Sequence, residues 1–196
     1  MVRVIGITGG IGSGKTTVCK WFEDRSAPVY NADVQAKWLM NHDLNLRSKL
    51  ITHFGSDIYE NNTLNTAKLA SIVFQDSNQL ATLNKLVHPV VFEHFESWKQ
   101  QYKHLPFVLK EAALMYETES YLQTDAIVVI YAPMKVRLER ACKRDKTEPE
   151  TILARMQKQL PEDHKLHKAD YVIYNDSIHE LVPQLEGLEK WIYKQC

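Results

Sequence analysis

Five short apolar runs punctuate the chain: Val2 to Ile7, Pro28 to Tyr30, Phe107 to Leu109, Ala126 to Tyr131 and Tyr171 to Tyr174. They are continuously apolar rather than alternating, which is the pattern of parallel strands covered on both faces. Helical spacing separates them. Val18, Cys19, Trp21 and Phe22 follow the first run, Pro133 opens a segment from Met134 to Arg144, and Pro149 opens another that ends before Pro161. Leu181, Leu185, Leu188, Trp191 and Ile192 predict a helix within Ser177 to Gln195, with a first turn weakened by Pro183. Between Tyr30 and Phe107 the pattern predicts helices throughout and no strand, with breaks near Asn41-His42, Gly55-Ser56, Asn61-Asn62 and Asp76-Ser77. Pro89 is expected to open the last of these helices, through Phe92, Phe95 and Trp98. Strands alternating with helices predict an α/β fold, a doubly wound five-stranded parallel sheet with its ligand at the carboxyl ends of the strands. About seventy helical residues between the second and third strands exceed what a crossover needs. They predict a helical substrate-binding insertion, with a helical layer that only covers the sheet as the alternative.

Directly after the first run stands Gly9-Gly10-Ile11-Gly12-Ser13-Gly14-Lys15-Thr16. The spacing of Gly9, four residues, then Gly14-Lys15-Thr16 is that of the P-loop. Glycines let consecutive backbone N–H groups turn toward one phosphate, and the helix starting near Lys15 directs its positive dipole end at the same anion. Lys15 supplies charge for the β- and γ-phosphates, and the Thr16 hydroxyl can ligate Mg²⁺. A chance glycine-rich turn explains neither the Lys-Thr pair nor the flanking strand and helix.

Composition narrows the setting. At 196 residues the chain is one domain by length, with 44% hydrophobic and 24% charged residues and zero formal net charge. No global field recruits nucleic acid or an anionic membrane, so anion recognition is expected from local clusters. Cys19, Cys142 and Cys196 are scattered, odd in number and not at metal-ligand spacing, which fits a reducing compartment. With no apolar run of membrane-spanning length and no basic leader before an apolar stretch, a cytoplasmic location is expected.

Three further features carry candidate chemistry. Asp33 follows the second strand, where a kinase acting on an alcohol needs a carboxylate to orient the hydroxyl and accept its proton; the alternative is a helix cap. Glu111 follows the third strand, where it either serves Mg²⁺ or is simply a surface acid. Lys135, Arg137, Arg140, Lys143, Arg144 and Lys146 form a basic run in which Arg137, Arg140 and Arg144 fall at helical spacing. Such a cluster suits phosphate binding on a closing lid, extended by Arg155 and Lys158, although Glu139 and Asp145 are available to pair with it.

With these residues in place, the chain closely resembles the dephospho-CoA kinases over essentially its whole length. Ile7 to Thr16 resembles that family's version of the P-loop. Asn31-Ala32-Asp33 stands where the family has Asp-Ala-Asp, and Leu86-Val87-His88-Pro89 resembles its Leu-His-Pro block. Glu111 to Glu117, Arg140 to Asp145, and Lys168 to Ile173 with Asn175 resemble three further blocks. The resemblance implies a P-loop NTPase fold and ATP-dependent phosphorylation of the ribose 3′-hydroxyl of dephospho-CoA, the last step of coenzyme A biosynthesis. It implies catalytic roles for Lys15, Asp33 (the base) and Arg140. Nucleotide contacts are expected from Gly10, Ile11, Gly12, Ser13, Gly14, Lys15, Thr16 and Thr17, with Arg144 and Asn175. Acceptor contacts are expected from Asp33, Lys37, His88, Glu111 and Arg140, and Mg²⁺ at Thr16. The expected division is a core of 1–33, 106–136 and 169–196, an acceptor-binding insertion of 34–105, and a lid of 137–168. Expected partners are ATP and dephospho-CoA, with no nucleic acid and no membrane, in a monomer or weak homo-oligomer. Three positions depart from the family pattern: Asn31 for Asp, Lys37 where Arg is common, and Ala113 for Pro.

The main alternative is another small-molecule kinase on the same scaffold, acting on nucleosides or nucleotides. A GTP-dependent switch is a poor reading. No Asp is followed three residues later by Gly, and the only Asn-Lys pair, Asn84-Lys85, continues as Leu86-Val87.

Overall fold

The computed structural model describes residues 1–73 and 76–196. Positions 74 and 75 of the expected helical insertion lie outside the described residues. The chain divides into two compact units, one made of Met1–Asn31 with Gln101–Cys196 and the other of Ala32–Gln100.

The first unit holds a five-stranded parallel sheet of β1 (Arg3–Thr8), β2 (Val29–Asn31), β5 (Phe107–Glu111), β6 (Ala126–Tyr131) and β7 (Tyr171–Tyr174), in the order β2-β5-β1-β6-β7. The five apolar runs are these strands. All five residues of β5 are buried, Lys110 and Glu111 included. Helices α1 (Lys15–Glu23) and α9 (Leu181–Gln195) cover one face: Val18, Phe22, Leu185, Leu188 and Ile192 form one core with Ile5, Ile7, Leu109, Val128, Ile130 and Ile173. On the other face Met115 closes against Gly6 so tightly that a Cβ there would lie 2.8 Å from its sulfur. Three helices stand between β6 and β7: α6 (Met134–Asp145), α7 (Pro149–Met156) and α8 (Glu162–His167).

Two aspartates tie the amino-terminal edges of the strands together. Asp125 accepts the Val4 N–H at 2.7 Å and returns its own N–H to the Val4 carbonyl. Asp170 does the same with Ile127, also at 2.7 Å. At the exposed edge, the Gln184 amide takes both backbone groups of Tyr174. This leaves less of the edge open to a foreign strand.

The second unit contains α2 (Ala32–His42), α3 (Leu44–Phe54), α4 (Thr66–Val73) and α5 (Ser77–Gln100). Two sequence expectations need correction in this unit. The interval contains strands after all, a two-residue antiparallel hairpin of β3 (Tyr59–Glu60) and β4 (Thr63–Leu64). Its turn is Asn61-Asn62, both at positive φ, which asparagine tolerates. Pro89 does not open a helix; it lies inside α5. Val87, Val91 and Phe95 bury one continuous stripe across it while Pro89 sits on the exposed side, so packing outweighs the missing N–H. In the first unit α9 starts at Leu181, inside the expected stretch, with Pro183 in the first turn, where N–H groups have no helical acceptor.

Candidate active site

The sheet brings the ends of its strands to one edge by register. Asn31 of β2 and Ile7 of β1 both pair with Glu111 of β5. Beyond them Thr8 donates its buried hydroxyl to the Ala112 carbonyl at 2.8 Å, linking the start of the P-loop to the segment after β5. The loop then turns tightly, with the Ser13 N–H bonded to the Gly10 carbonyl at 3.1 Å, and Gly14 at φ 99° caps α1. Lys15 Nζ donates to the Gly9 carbonyl at 3.0 Å and lies 4.0 Å from Glu111 Oε1, with both side chains nearly buried. Glu111 also accepts from the Asn31 amide. It is therefore no surface acid. The departure at Asn31 acquires a physical meaning here, since a carboxylate at 31 would face Glu111 and repel it, whereas the amide donates. Thr16 and Thr17 are exposed at the start of α1. Beneath the loop, burial first, and then the charges of Glu111 and Glu23, push the Cys19 thiol upward, so it stays protonated and unreactive.

The basic run of α6 does not act as one free face. Arg137 is buried, donates from Nε to the Ala132 carbonyl at 3.0 Å, and lies 3.8 Å from Glu162. Its backbone also abuts the loop: a Cβ on Gly12 would lie 2.2 Å from the Arg137 carbonyl oxygen. Arg140 donates to the Asn175 carbonyl at 2.8 Å and to Ser177 Oγ at 3.0 Å. The Asn175 amide donates in turn to the Ser13 carbonyl at 2.8 Å and packs against Gly14. Arg144 grips Asp145 through two nitrogens, and Arg155 of α7 adds a third bond to the same carboxylate at 2.8 Å. The Arg144 hydrogen bond, with support from Arg155, holds the Asp145 carboxyl at about 2. A cavity of about 420 Å³ opens between α6 and α7, with Arg137, Gln159 and Glu162 among its lining residues.

The remaining expected residues belong to the second unit. Asp33 and Lys37 are exposed in α2, whose helix starts at Ala32, so Asp33 stands in its first turn rather than at the cap. His88 is half-buried in mid-helix, and burial lowers its imidazole pKa. Among the described residues no group of three or more His, Cys, Asp or Glu side chains gathers at metal-binding distance, and no helix is long and apolar enough to cross a membrane.

The family model for dephospho-CoA kinase matches residues 3–180, the span holding the P-loop, the β5 segment and the arginines of α6. The chain belongs to the dephospho-CoA kinase family. A dephospho-CoA kinase from Bacteroides fragilis is 35% identical over 195 residues, covering 100% of this chain and 95% of the relative. A solved structure from Thermus thermophilus superposes with a TM-score of 0.86 at 28% identity, covering 99% of this chain and 97% of that one. The dephospho-CoA kinase of Campylobacter jejuni shares the fold at a TM-score of 0.70 and 23% identity, covering 99% and 97%. In this family member, side chains that sequence reasoning left without a role meet the P-loop or the segment that contacts it. Gln159 accepts the Ile11 N–H, Glu162 approaches Gly10, and Glu117 accepts the Leu160 N–H. Only Glu117 carried a signal, as the end of the block from Glu111. Gln159 and Glu162 lie far along the chain, in segments with no motif.

Proposed function

We propose that the chain carries out the reaction of its family, transferring the γ-phosphoryl group of ATP to the ribose 3′-hydroxyl of dephospho-CoA. The observation that carries this reading is the convergence of Lys15, Glu111 and Asn31 on the P-loop at the carboxyl edge of the sheet. In it, the N–H groups of Gly12, Gly14, Lys15 and Thr16 cradle the phosphates, the Ser13 N–H being held by the Gly10 carbonyl, and Lys15 follows the charge that develops on the transferred group. Lys15 now spans Gly9 and Glu111, so it reaches ATP by exchanging a carbonyl for a phosphate oxygen. Asp33 accepts the proton of the acceptor hydroxyl. It follows Asn31 by two residues, and Asn31 is anchored to Glu111. Arg140 and Arg144 bind phosphate oxygens once the 137–168 segment closes, while Lys37 and His88 contribute to an acceptor site on the helical unit.

Thr16 and Glu111 offer hard oxygen donors of the kind Mg²⁺ prefers, so these two residues fit the ion that accompanies ATP. When bound, Mg²⁺ neutralises phosphate charge. The free cysteines fit a cytoplasmic setting. Asp33→Asn tests the proposal because it keeps the shape and removes the base. Transfer to dephospho-CoA should fall by about 10²–10⁴-fold in kcat with the KM for ATP unchanged. A change in KM alone would make Asp33 a binding group and remove the base from this scheme.

A further inference from the structure

Residues 157–161, joining α7 to α8, reach the ends of two strands at once. Gln159 Oε1 accepts the Ile11 N–H at 2.9 Å, and Nε2 of the same amide donates to the Ala113 carbonyl at 3.2 Å. Its neighbour Leu160 donates its backbone N–H to Glu117 Oε1 at 2.7 Å. Ile11 belongs to the P-loop after β1, whereas Ala113 and Glu117 follow β5. Glu162 extends the same contact: its Oε1 lies 3.2 Å from buried Lys165 and 3.8 Å from Arg137, against Gly10.

The chemistry of this bridge is selective. It needs one planar group that accepts from an N–H on one side and donates to a carbonyl on the other, which an amide does and a carboxylate does not. The bridge also falls where the loop most needs support. Gly9, Gly10 and Gly12 give the first half of the loop little stiffness of its own, and Ile11 directly precedes the N–H groups that face phosphate. An N–H held by Gln159 is turned away from the phosphate and fixes the plane from which Gly12 to Thr16 continue.

We propose that Gln159 is a positioning residue for phosphoryl transfer, clipping Ile11 of the P-loop to Ala113 so that the loop is ordered only while the α7–α8 connection is seated. This rests on the phosphoryl-transfer reading of the P-loop. An unseated connection leaves the loop misaligned and the phosphate open to water, so the role is read in kcat and in coupling rather than in ATP affinity.

Two variants test it in the full-length protein. Gln159→Met keeps the bulk and loses both hydrogen bonds; it should lower kcat about tenfold or more, with the KM for ATP within about twofold. It should also form ADP in excess of coenzyme A and speed exchange of the Ile11 amide, followed by NMR. Gln159→Glu should match that loss at pH 8. Its kcat relative to wild type should recover toward pH 5, because a protonated carboxyl accepts and donates as the amide does, whereas the Met variant should show a flat ratio. Wild-type kcat and coupling in Gln159→Met, or no recovery of Gln159→Glu over Gln159→Met at low pH, would overturn the proposal. A wild-type enzyme that transfers nothing to dephospho-CoA would instead contradict the acceptor assignment, and the Ile11 exchange rates would then decide the bridge alone.

Discussion

Gly12→Ala should break the junction between the P-loop and α6, and its cost follows from the local geometry. The residue sits at φ 79°, where a Cβ costs about 1–2 kcal/mol. That Cβ would lie 2.2 Å from the Arg137 carbonyl oxygen, whereas ordinary contact begins near 3.4 Å. The first turn of α6 or the loop itself must therefore move by about 1 Å, and forced overpacking of this kind costs about 1–3 kcal/mol. Together these give about 2–5 kcal/mol, or a Tm lower by roughly 4–20 °C for a chain of this size. A displacement of about 1 Å at the loop should also cut kcat/KM by about 10²-fold. Gly10→Ala is the control. Its Cβ would meet Arg137 Nη1 at 2.1 Å and Glu162 Oε1 at 2.8 Å, both at the far ends of side chains that can turn aside. Its cost should stay below about 2 kcal/mol. Combining each variant with Arg137→Ala and measuring thermal unfolding separates the two cases. Removing the Arg137 side chain should relieve Gly10→Ala and leave Gly12→Ala unrelieved, because the second clash is with backbone. Equal costs for the two glycines, or equal rescue, would refute this reasoning.

Two further outcomes follow from the site. Glu111→Gln keeps an oxygen for Asn31 but removes the charge beside Lys15, so the Mg²⁺ concentration for half-maximal activity should rise severalfold; an unchanged titration would remove Glu111 from the metal. Asp145 is held near 2 in the folded protein against about 3.9 unfolded, so its stabilising contribution is full above pH 4 and is lost as pH falls through 2. The Tm advantage of wild type over Asp145→Asn should therefore shrink between about pH 5 and pH 2, and a constant gap would show that Arg144 and Arg155 do not hold this carboxylate.

The strands and the P-loop were legible because their signals are local. Continuous apolar runs mark strands buried on both faces, and the Gly-Lys-Thr spacing is contiguous in the chain. Short-range rules failed where longer-range packing decided. Pro89 reads as a helix start until the Val87–Val91–Phe95 stripe is seen to bury across it. The β3–β4 hairpin is too short for periodicity, although its Asn61-Asn62 turn was visible as a break. The contacts of Gln159 and Arg137 were illegible for a different reason. Those with the P-loop, at Ile11 and Gly12, join segments more than a hundred residues apart in the chain, and no spacing rule links them. Membership of a family block also does not by itself name a role: Asp170 lies in the closing block, and its carboxylate takes the Ile127 N–H, as Asp125 takes that of Val4 outside any block.

The most direct test of the account is acceptor choice. Purified protein with γ-labelled ATP and Mg²⁺ would be offered dephospho-CoA, nucleosides and nucleoside monophosphates in parallel, with the product's phosphate located by ³¹P NMR. The account predicts label on dephospho-CoA alone, at the ribose 3′-oxygen. Preferential labelling of a nucleoside or nucleotide, or phosphate at another position, would contradict it.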